Sequence, residues 1–506
     1  MTQSQNKKLK VYSASAGSGK TFTLAKEYLT ICLAGNPDAY KNILAVTFTN
    51  KAANEMKVKI LRFIKGFVES DDSSDICQMK SDILMLLGVD EATLVSRAKT
   101  LYQNLLHNYS DMAVCTIDSF VQRISRSFAK ELDLPNQYSI ILDNDDLIEE
   151  ILKRISDNIN DNNKFLKDVL TNFALNNISE ELSWNLKKIL GDFINNILSE
   201  DGTVYNQGLD NIKDVNYLQV YDELNNKIEI QKNSVTGLIS NIEHVENELH
   251  VSDSDYKGNK TRGLPLIKAK MQKLVNNVLT PGIEKMLNQG DCFNAKSKLS
   301  DSEKEQIISA YLANINEYYN ILSKLIVLKS LKRNYYLYIL RSQILLQINN
   351  FMEESQQVHI SEFNKRISHI LGDYSVPFIY EKIGERYSNY FIDEFQDTSV
   401  LQWHNFLPLI ANSLSNGNMN LIVGDAKQSI YRFRGGEAEQ IIELPQIYKK
   451  QENNFFNECE TLFVGNVDNI TLENNFRSYK NIIEFNNRFF EFAKSYLDVK
   501  DQKVYN

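Results

Sequence analysis

Proline is scarce in this chain, with seven in 506 residues. So few interruptions of the backbone N–H ladder allow abundant helix. Cysteine is scarce as well. The five thiols, at Cys32, Cys77, Cys115, Cys292 and Cys459, are odd in number and show no CxxC spacing. Neither a disulfide framework nor a zinc ribbon is suggested, and reduced cytosolic thiols fit. There is no run of 18 apolar residues able to span a bilayer, and the opening MTQSQNKKLK lacks an apolar signal core. The expected location is the cytoplasm. An excess of positive charge is missing too, since the net charge is −9, which argues against a protein that coats nucleic acid by bulk electrostatics. The charge is unevenly spread. Residues 1–130 carry 17 Lys and Arg against 12 Asp and Glu, and the remainder carries 39 against 53. Unless that imbalance is chance, a nucleic-acid contact belongs to a groove near the N-terminal domain.

What is present is ordinary for a globular chain, with 43% hydrophobic and 24% charged residues. The length suggests several domains. The stretch NYFIDEFQDTS (389–399) organises the chemistry. Tyr390, Phe391 and Ile392 read as the end of a buried strand, which puts Asp393 and Glu394 at its carboxyl end, where ligands bind in open α/β sheets. Two adjacent carboxylates there suit one Mg²⁺ position, Asp393, and one water-activating position, Glu394. Alone, the pair also fits a solvated acidic loop.

Residues 10–12 (KVY) predict a short strand, followed by SASAGSGKT (13–21) and a helical FTLAKEYLTICLA. This is a phosphate loop in the required order of strand, loop and helix. Ser13, Ala14, Ser15, Ala16, Gly17, Ser18 and Gly19 are small enough for their amides to face phosphates. Lys20 reaches the β and γ phosphates, and Thr21 offers a hydroxyl to Mg²⁺. Ala14 stands where the usual pattern has its first glycine.

NILAVTFTNKAANEMKVKI (42–60) and AVCTIDSFVQRISRSF (113–128) repeat the order of strand, polar turn and helix. Thr47, Phe48, Thr49, Asn50 and Lys51 suit a sugar-phosphate backbone, although taken alone a helix cap is the commoner use of such residues; Thr116, Asp118 and Ser119 could cap the next helix or meet a DNA strand. Between Asp118 and Asp393 the apolar spacing is mainly helical, which predicts an inserted helical region. Ile228, Val235, Leu238, Ile242, Val245 and Leu249 follow a near-heptad, residues 302–356 predict one or two long helices, and 250–263 and 288–301 predict turns. Later, Leu401, Trp403, Phe406, Leu407 and Ile410 predict a helix covering the sheet, and NLIVGD a second strand opening into AKQSIYRFRGG. Gln428 there could sense a γ-phosphate. Tyr431 and Phe433, interleaved with Arg432 and Arg434, offer ring faces for bases and guanidinium groups for phosphates, or simple packing.

Set side by side, these segments resemble the superfamily-one DNA helicases of the UvrD, Rep and PcrA type. GSGKT, VTFTNKAA, TIDSF, DEFQDT, GDAKQSIYRFRG and LENNFRS occur in that family's order. ASAGSGKTFTL and GDAKQSIYRFRGG are closer to the RecB and AddA motor subunits of helicase-nuclease complexes. The resemblance implies an α/β fold: a RecA-like parallel-sheet ATPase core over residues 1–135 and 370–465, a helical insertion over 136–369, and the start of a second motor domain over 466–506. It implies ATP and Mg²⁺ as ligands, with Lys20, Thr21 and Asp393 at nucleotide and metal, Glu394 as general base and Gln428 at the γ-phosphate. Arg477 matches the arginine contributed by the second motor domain, and Phe476 the ring that stacks on adenine. Phe22 is placed opposite Phe476 by its position after Thr21. Thr47, Phe48, Asn50, Thr116, Tyr431, Phe433 and Arg434 match the surface that contacts single-stranded DNA.

The implied activity is 3′ to 5′ translocation on single-stranded DNA in repair of broken DNA ends, with a partner subunit of the AddB or RecC kind. Three departures stand out. The family's upstream glutamine motif needs more chain than precedes Ser13, and Asp118 replaces a frequent histidine. The later GLEFD-like and TRA-like motifs and a nuclease domain do not appear before Asn506, so a fragment of a longer protein or a truncated gene is expected. One rival is a module that binds DNA ends or a partner without hydrolysing ATP. A second, an SMC-like ATPase suggested by phosphate loop plus heptads, would need an LSGGQ-like segment that the sequence lacks.

Overall fold

A computed structural model describes residues 7–130, 132, 134, 138–141, 144–159, 163–179, 181, 183, 185–199, 217–258, 263–372, 378–450 and 454–496. The expected domain boundary at 135 and 136 lies outside these residues, as do 259–262 of one expected turn and 497–506 of the C-terminal segment. The chain forms two compact units. One comprises Met1–Leu147, Asn195–Tyr205 and Met352–Asn506, and the other Ile148–Ile194 and Asn206–Phe351.

The first unit is built on a six-stranded parallel sheet. Its strands are β1 (Leu9–Ala14), β2 (Ile43–Thr47), β3 (Val114–Thr116), β6 (Asn389–Ile392), β7 (Asn420–Gly424) and β8 (Val467–Leu472), in the spatial order β3-β2-β6-β7-β1-β8. A separate parallel pair joins β4 (Ser139–Ile141) to β5 (Gln357–His359). Every residue of β2, β6 and β7 is buried, as expected for parallel strands covered on both faces. One face buries Leu44, Val46, Ile392 and Ile422 against Trp403, Phe406, Leu407 and Ile410 of the helix Val400–Ser415. The expected covering helix is therefore present. Its start is fixed by a capping box in which Ser399 and Gln402 satisfy each other's backbone amides. The other face buries Ala45, Phe391 and Val423 against Leu24, Tyr28 and Phe63 of the helices Lys20–Cys32 and Asn50–Glu69.

Registry aligns the strand ends. Ser13 lies beside Gly424, Ala14 beside Leu472, Val46 beside Ile392 and Thr47 beside Thr116. All the sequence segments that carry chemistry thus leave the sheet along one carboxyl edge. β8 pairs in parallel with β1, so the turn that holds Asn475, Phe476 and Arg477 begins on the same edge.

Near the β4–β5 pair, His359 is buried and bonded through Nδ1 to Ser361 Oγ (2.8 Å) and through Nε2 to Asn144 Oδ1 (2.6 Å). Burial, with Lys365 nearby, lowers its pKa from 6.5 to about 4. Between those values the unfolded chain binds the proton that the folded chain refuses, so stability rises with pH and is complete above about 6.5. Expressed as the difference in unfolding free energy from His359→Gln, this contribution should fall by about 3 kcal/mol between pH 7 and pH 4 in denaturant titrations. A pH-independent difference would refute it.

The regular elements among the described residues of the second unit are all helices. Residues 302–356 form one helix, Asp301–Ser355, instead of two. In the helix Tyr217–Glu248 the near-heptad residues Ile228, Val235 and Ile242 are buried, with Leu238, Val245 and Leu249 partly buried beside them. They pack on Ile307, Tyr311, Ile315 and Tyr318. The expected turn regions flank two short helices, Pro265–Gln272 and Pro281–Gln289. A buried polar lock crosses this core: Glu246 Oε1 accepts from Tyr256 and Tyr311, each at 2.7 Å, and Oε2 pairs with Lys268. Breaking a charge pair of this kind costs more than forming it contributes.

Candidate functional site

The phosphate loop is shaped by two backbone conformations that L side chains rarely adopt, Gly17 at φ +82° and Gly19 at φ +89°. Gly19 caps the helix Lys20–Cys32, whose first amides are therefore free for an anion at its N-terminus. Ser18 is buried, and its Oγ has no hydrogen-bond partner. Ser13, Ser15 and Ala16 are exposed around the loop, Ala14 is buried at the end of β1, and Thr21 is half-buried in the first helical turn.

Lys20 joins the loop to the acidic strand end. Its Nζ lies 3.2 Å from Glu394 Oε2 and donates to Gln428 Oε1 at 3.1 Å. Asp393 is buried and takes the Glu394 amide on Oδ1 at 3.0 Å. Burial and the neighbouring Glu394 carboxylate push its pKa up to about 7, with Lys20 and that amide pulling the other way. Such a carboxyl gains its charge readily when a cation arrives. Glu394 itself sits in the left-handed region at φ 53°, ψ 44°, uncommon for a residue with a Cβ and costly by about 1–2 kcal/mol. The strained residue is also the one whose carboxylate faces the Lys20 ammonium.

Sequence reasoning missed the amide that holds this carboxylate. Gln396 is 1% exposed. Its Nε2 donates to Glu394 Oε2 at 2.7 Å while its Oε1 accepts from the Asp425 amide at 2.9 Å. Asp425 in turn accepts from Gln428 Nε2 at 2.7 Å, which aims the Gln428 oxygen at Lys20. The available signal was an amide two residues beyond a paired acid. Asp397, also unassigned from the sequence, is raised to about 6 by burial and Glu394, while the amides of Ile430 and Tyr431 favour its ionised form.

The turn after β8 closes on the phosphate loop. The Phe476 amide donates to Gly17 O at 2.8 Å and Asn475 Nδ2 to Ala16 O at 2.9 Å. A Cβ on Gly17 would lie 2.7 Å from Arg477 Cβ, so only glycine fits there. Phe476 is largely exposed, with its ring 3.8 Å from where a Gly19 Cβ would sit, and Arg477 is exposed. Phe22 turns the other way, edge-on to Phe63 with centroids 5.6 Å apart.

A second cluster lies along the same edge. Phe48 and Tyr431 have ring centroids 4.5 Å apart, Tyr431 and Phe433 6.0 Å, and the Arg434 guanidinium lies 5.9 and 5.8 Å from the last two rings. Phe433 is 79% exposed. Thr47 is fully buried with an unpartnered hydroxyl, whereas Thr49 caps its helix through Ala52 N (3.2 Å) and leaves Asn50 exposed in the first turn. Thr116 caps the next helix through Ser119 N at 3.1 Å. Asp118, raised by burial and held down by Arg434, accepts from Gln402. The structure thus gathers Phe48, Tyr431, Phe433 and Arg434 into one surface, while Thr47 and Thr116 present little side chain there.

A six-stranded parallel sheet with a glycine-shaped phosphate loop and a strand-end acid pair facing its lysine is a RecA-like α/β core. The match of residues 1–449 to the UvrD/REP helicase N-terminal domain goes further: the chain belongs to that helicase family. It is similar to the A-subunit of the ATP-dependent helicase/nuclease of Lactobacillus johnsonii, 25% identical over 97% of this chain and 40% of the relative. It also resembles the exonuclease/helicase protein RexA of Lactococcus lactis, 26% identical over 95% of this chain and 38% of the relative. The chain therefore spans about two fifths of the length of the curated relatives it matches. No described helix is long and apolar enough to cross a membrane.

Proposed function

We propose that this chain is the ATP-binding motor part of a DNA helicase that translocates 3′ to 5′ on single-stranded DNA during repair of broken ends. The observation that carries the reading is the Lys20 ammonium held between Glu394 and Gln428, with Asp393 adjacent. The residues fit a magnesium nucleotide: a helix N-terminus with glycine-shaped backbone, the orphaned Ser18 hydroxyl and a buried acid that a cation would ionise. Bound ATP and Mg²⁺ supply a phosphoanhydride and the positive charge that offsets its negative oxygens. The loop amides and Lys20 hold the phosphates, Thr21 and Asp393 hold the metal, and Glu394 accepts a proton from water. Gln428 reports the γ-phosphate. Phe476 offers its exposed ring to the base, whereas Phe22, packed edge-on to Phe63, does not face it. Arg477 supplies the guanidinium that makes hydrolysis sensitive to cleft closure.

On the neighbouring surface, Phe48, Tyr431 and Phe433 stack on unpaired bases and Arg434 meets phosphate, with the exposed Asn50 at its margin; Thr47 and Thr116, both buried, take no part through their side chains. The relatives are named as components of helicase/nucleases, which supports a setting at DNA ends with a partner of the AddB or RecC kind. The strand Val467–Leu472 pairs with β1 in the first sheet, so within 466–506 it is the residues after that strand that are read as the approach to a second motor domain.

Phosphate release from the 506-residue chain with ATP and Mg²⁺ should rise when an unpaired oligonucleotide is added. Release at the uncatalysed rate, with both ligands bound, would leave only the module that binds without hydrolysing.

A further inference from the structure

The nucleotide site and the aromatic surface are joined by a short run of contacts. Gln396 stands at the crossing. Its side chain donates to Glu394 Oε2 (2.7 Å) and accepts from the Asp425 amide (2.9 Å), while its backbone oxygen accepts from Ser429 Oγ at 3.3 Å. Residues 425 and 429 bracket the start of the segment that carries Tyr431, Phe433 and Arg434. That side chain lies under the end of β7 only because residue 424 is glycine, since a Cβ there would sit 2.6 Å from Gln396 Oε1.

The far end of the aromatic segment is attached as closely. Gly436 forms a bridge with Ser399, and a Cβ on it would lie 3.1 Å from Asp397 O and 3.2 Å from both Asp397 Cα and Tyr431 O. The Glu437 amide and Gln440 Nε2 both donate to Thr398 O, at 3.2 and 2.7 Å. The loop 395–399 and the segment 425–440 are therefore fastened at both ends, and the loop's second residue holds the Glu394 carboxylate. A displacement of the rings that carries these attachment points with it moves the loop that holds that carboxylate.

We infer that Gln396 is a positioning residue that links the two sites, so that unpaired DNA on the Phe48, Tyr431 and Phe433 surface and nucleotide at Lys20 change each other's affinity through it. The inference rests on the proposed reading of those two surfaces. Linkage makes the effect reciprocal, and typical coupling between sites lies in the range of roughly 5–150-fold.

The test measures dissociation constants of a fluorescent dT oligonucleotide by anisotropy, with and without AMP-PNP and Mg²⁺. The 506-residue chain, Gln396→Leu and Gly436→Ala are compared. Gln396→Leu keeps the bulk and removes the donor and the acceptor. Gly436→Ala touches neither ligand's contacts and wedges the aromatic segment away from Asp397, which keeps the idea testable if the first variant folds poorly. The readout is the ratio of the two constants within each protein, taken at AMP-PNP concentrations that calorimetry shows to saturate that protein, so that a loss of DNA affinity cancels and a loss of nucleotide affinity is offset. The unsubstituted chain should give a ratio of about ten, and both variants a ratio within about twofold of one. A variant ratio equal to that of the unsubstituted chain overturns the inference. So does a ratio of one in the unsubstituted chain when both ligands bind, an outcome that leaves the proposed function standing. If that chain binds neither ligand, the proposed function fails and the inference falls with it.

Discussion

Glu394→Gln should bind ATP as the unsubstituted chain does and hydrolyse it about 10²–10⁴ times more slowly. The amide is nearly isosteric with the carboxylate, so its oxygen can still accept from Lys20 Nζ and from Gln396 Nε2, the two contacts made by the Glu394 carboxylate. The cradle for the phosphates is untouched. What is lost is the capacity to take a proton from water. The substitution also removes the charge that helps raise Asp393 and Asp397, so both should ionise more easily and metal affinity should not fall. Nucleotide affinity by fluorescence and phosphate release under saturating ATP separate the two effects. Turnover within a few-fold of the unsubstituted chain would reject Glu394 as the base.

Lys20→Ala should weaken nucleotide binding by about 2 kcal/mol, roughly thirtyfold in Kd. The loss has two sources. One is the ammonium itself, the only side-chain cation that the described contacts bring to the acid pair. The other is repulsion, because without Lys20 the Glu394 carboxylate would face an anionic ligand with no ammonium beside it. The effect should therefore shrink in the double variant Lys20→Ala with Glu394→Gln. Calorimetric Kd values for the four proteins of that cycle give the coupling directly. Equal losses with and without the Glu394 charge would show that repulsion has no part.

The sequence made the fold class and the place of each motif legible because both depend on local order. Strand, turn and helix recur around Ser13, Thr47, Thr116, Asp393 and Asp425, and parallel sheets put all such turns on one edge. The burial of Tyr390, Phe391 and Ile392, the helix beginning after Ser399 and the long helix over 301–355 follow from periodicity in the same way. What pattern could not supply was the contact between segments far apart in the chain. Gln396 gains its role only because β7 ends beside β6, and Gly17 must be glycine because Arg477, 460 positions later, packs against it. Thr47 illustrates the opposite problem: its spacing matches a nucleic-acid surface, yet the pleat of β2 turns its hydroxyl inward. Capping and ligand contact draw on the same residue types at strand ends, and Thr49 and Thr116 are caps by geometry.

The left-handed backbone at Glu394 has one more consequence. Glycine would relax that conformation, so the fold on its own terms favours discarding the very carboxylate proposed here to activate water. Copies of this core released from the demand to burn nucleotide should drift first at position 394, becoming sturdier as they fall silent.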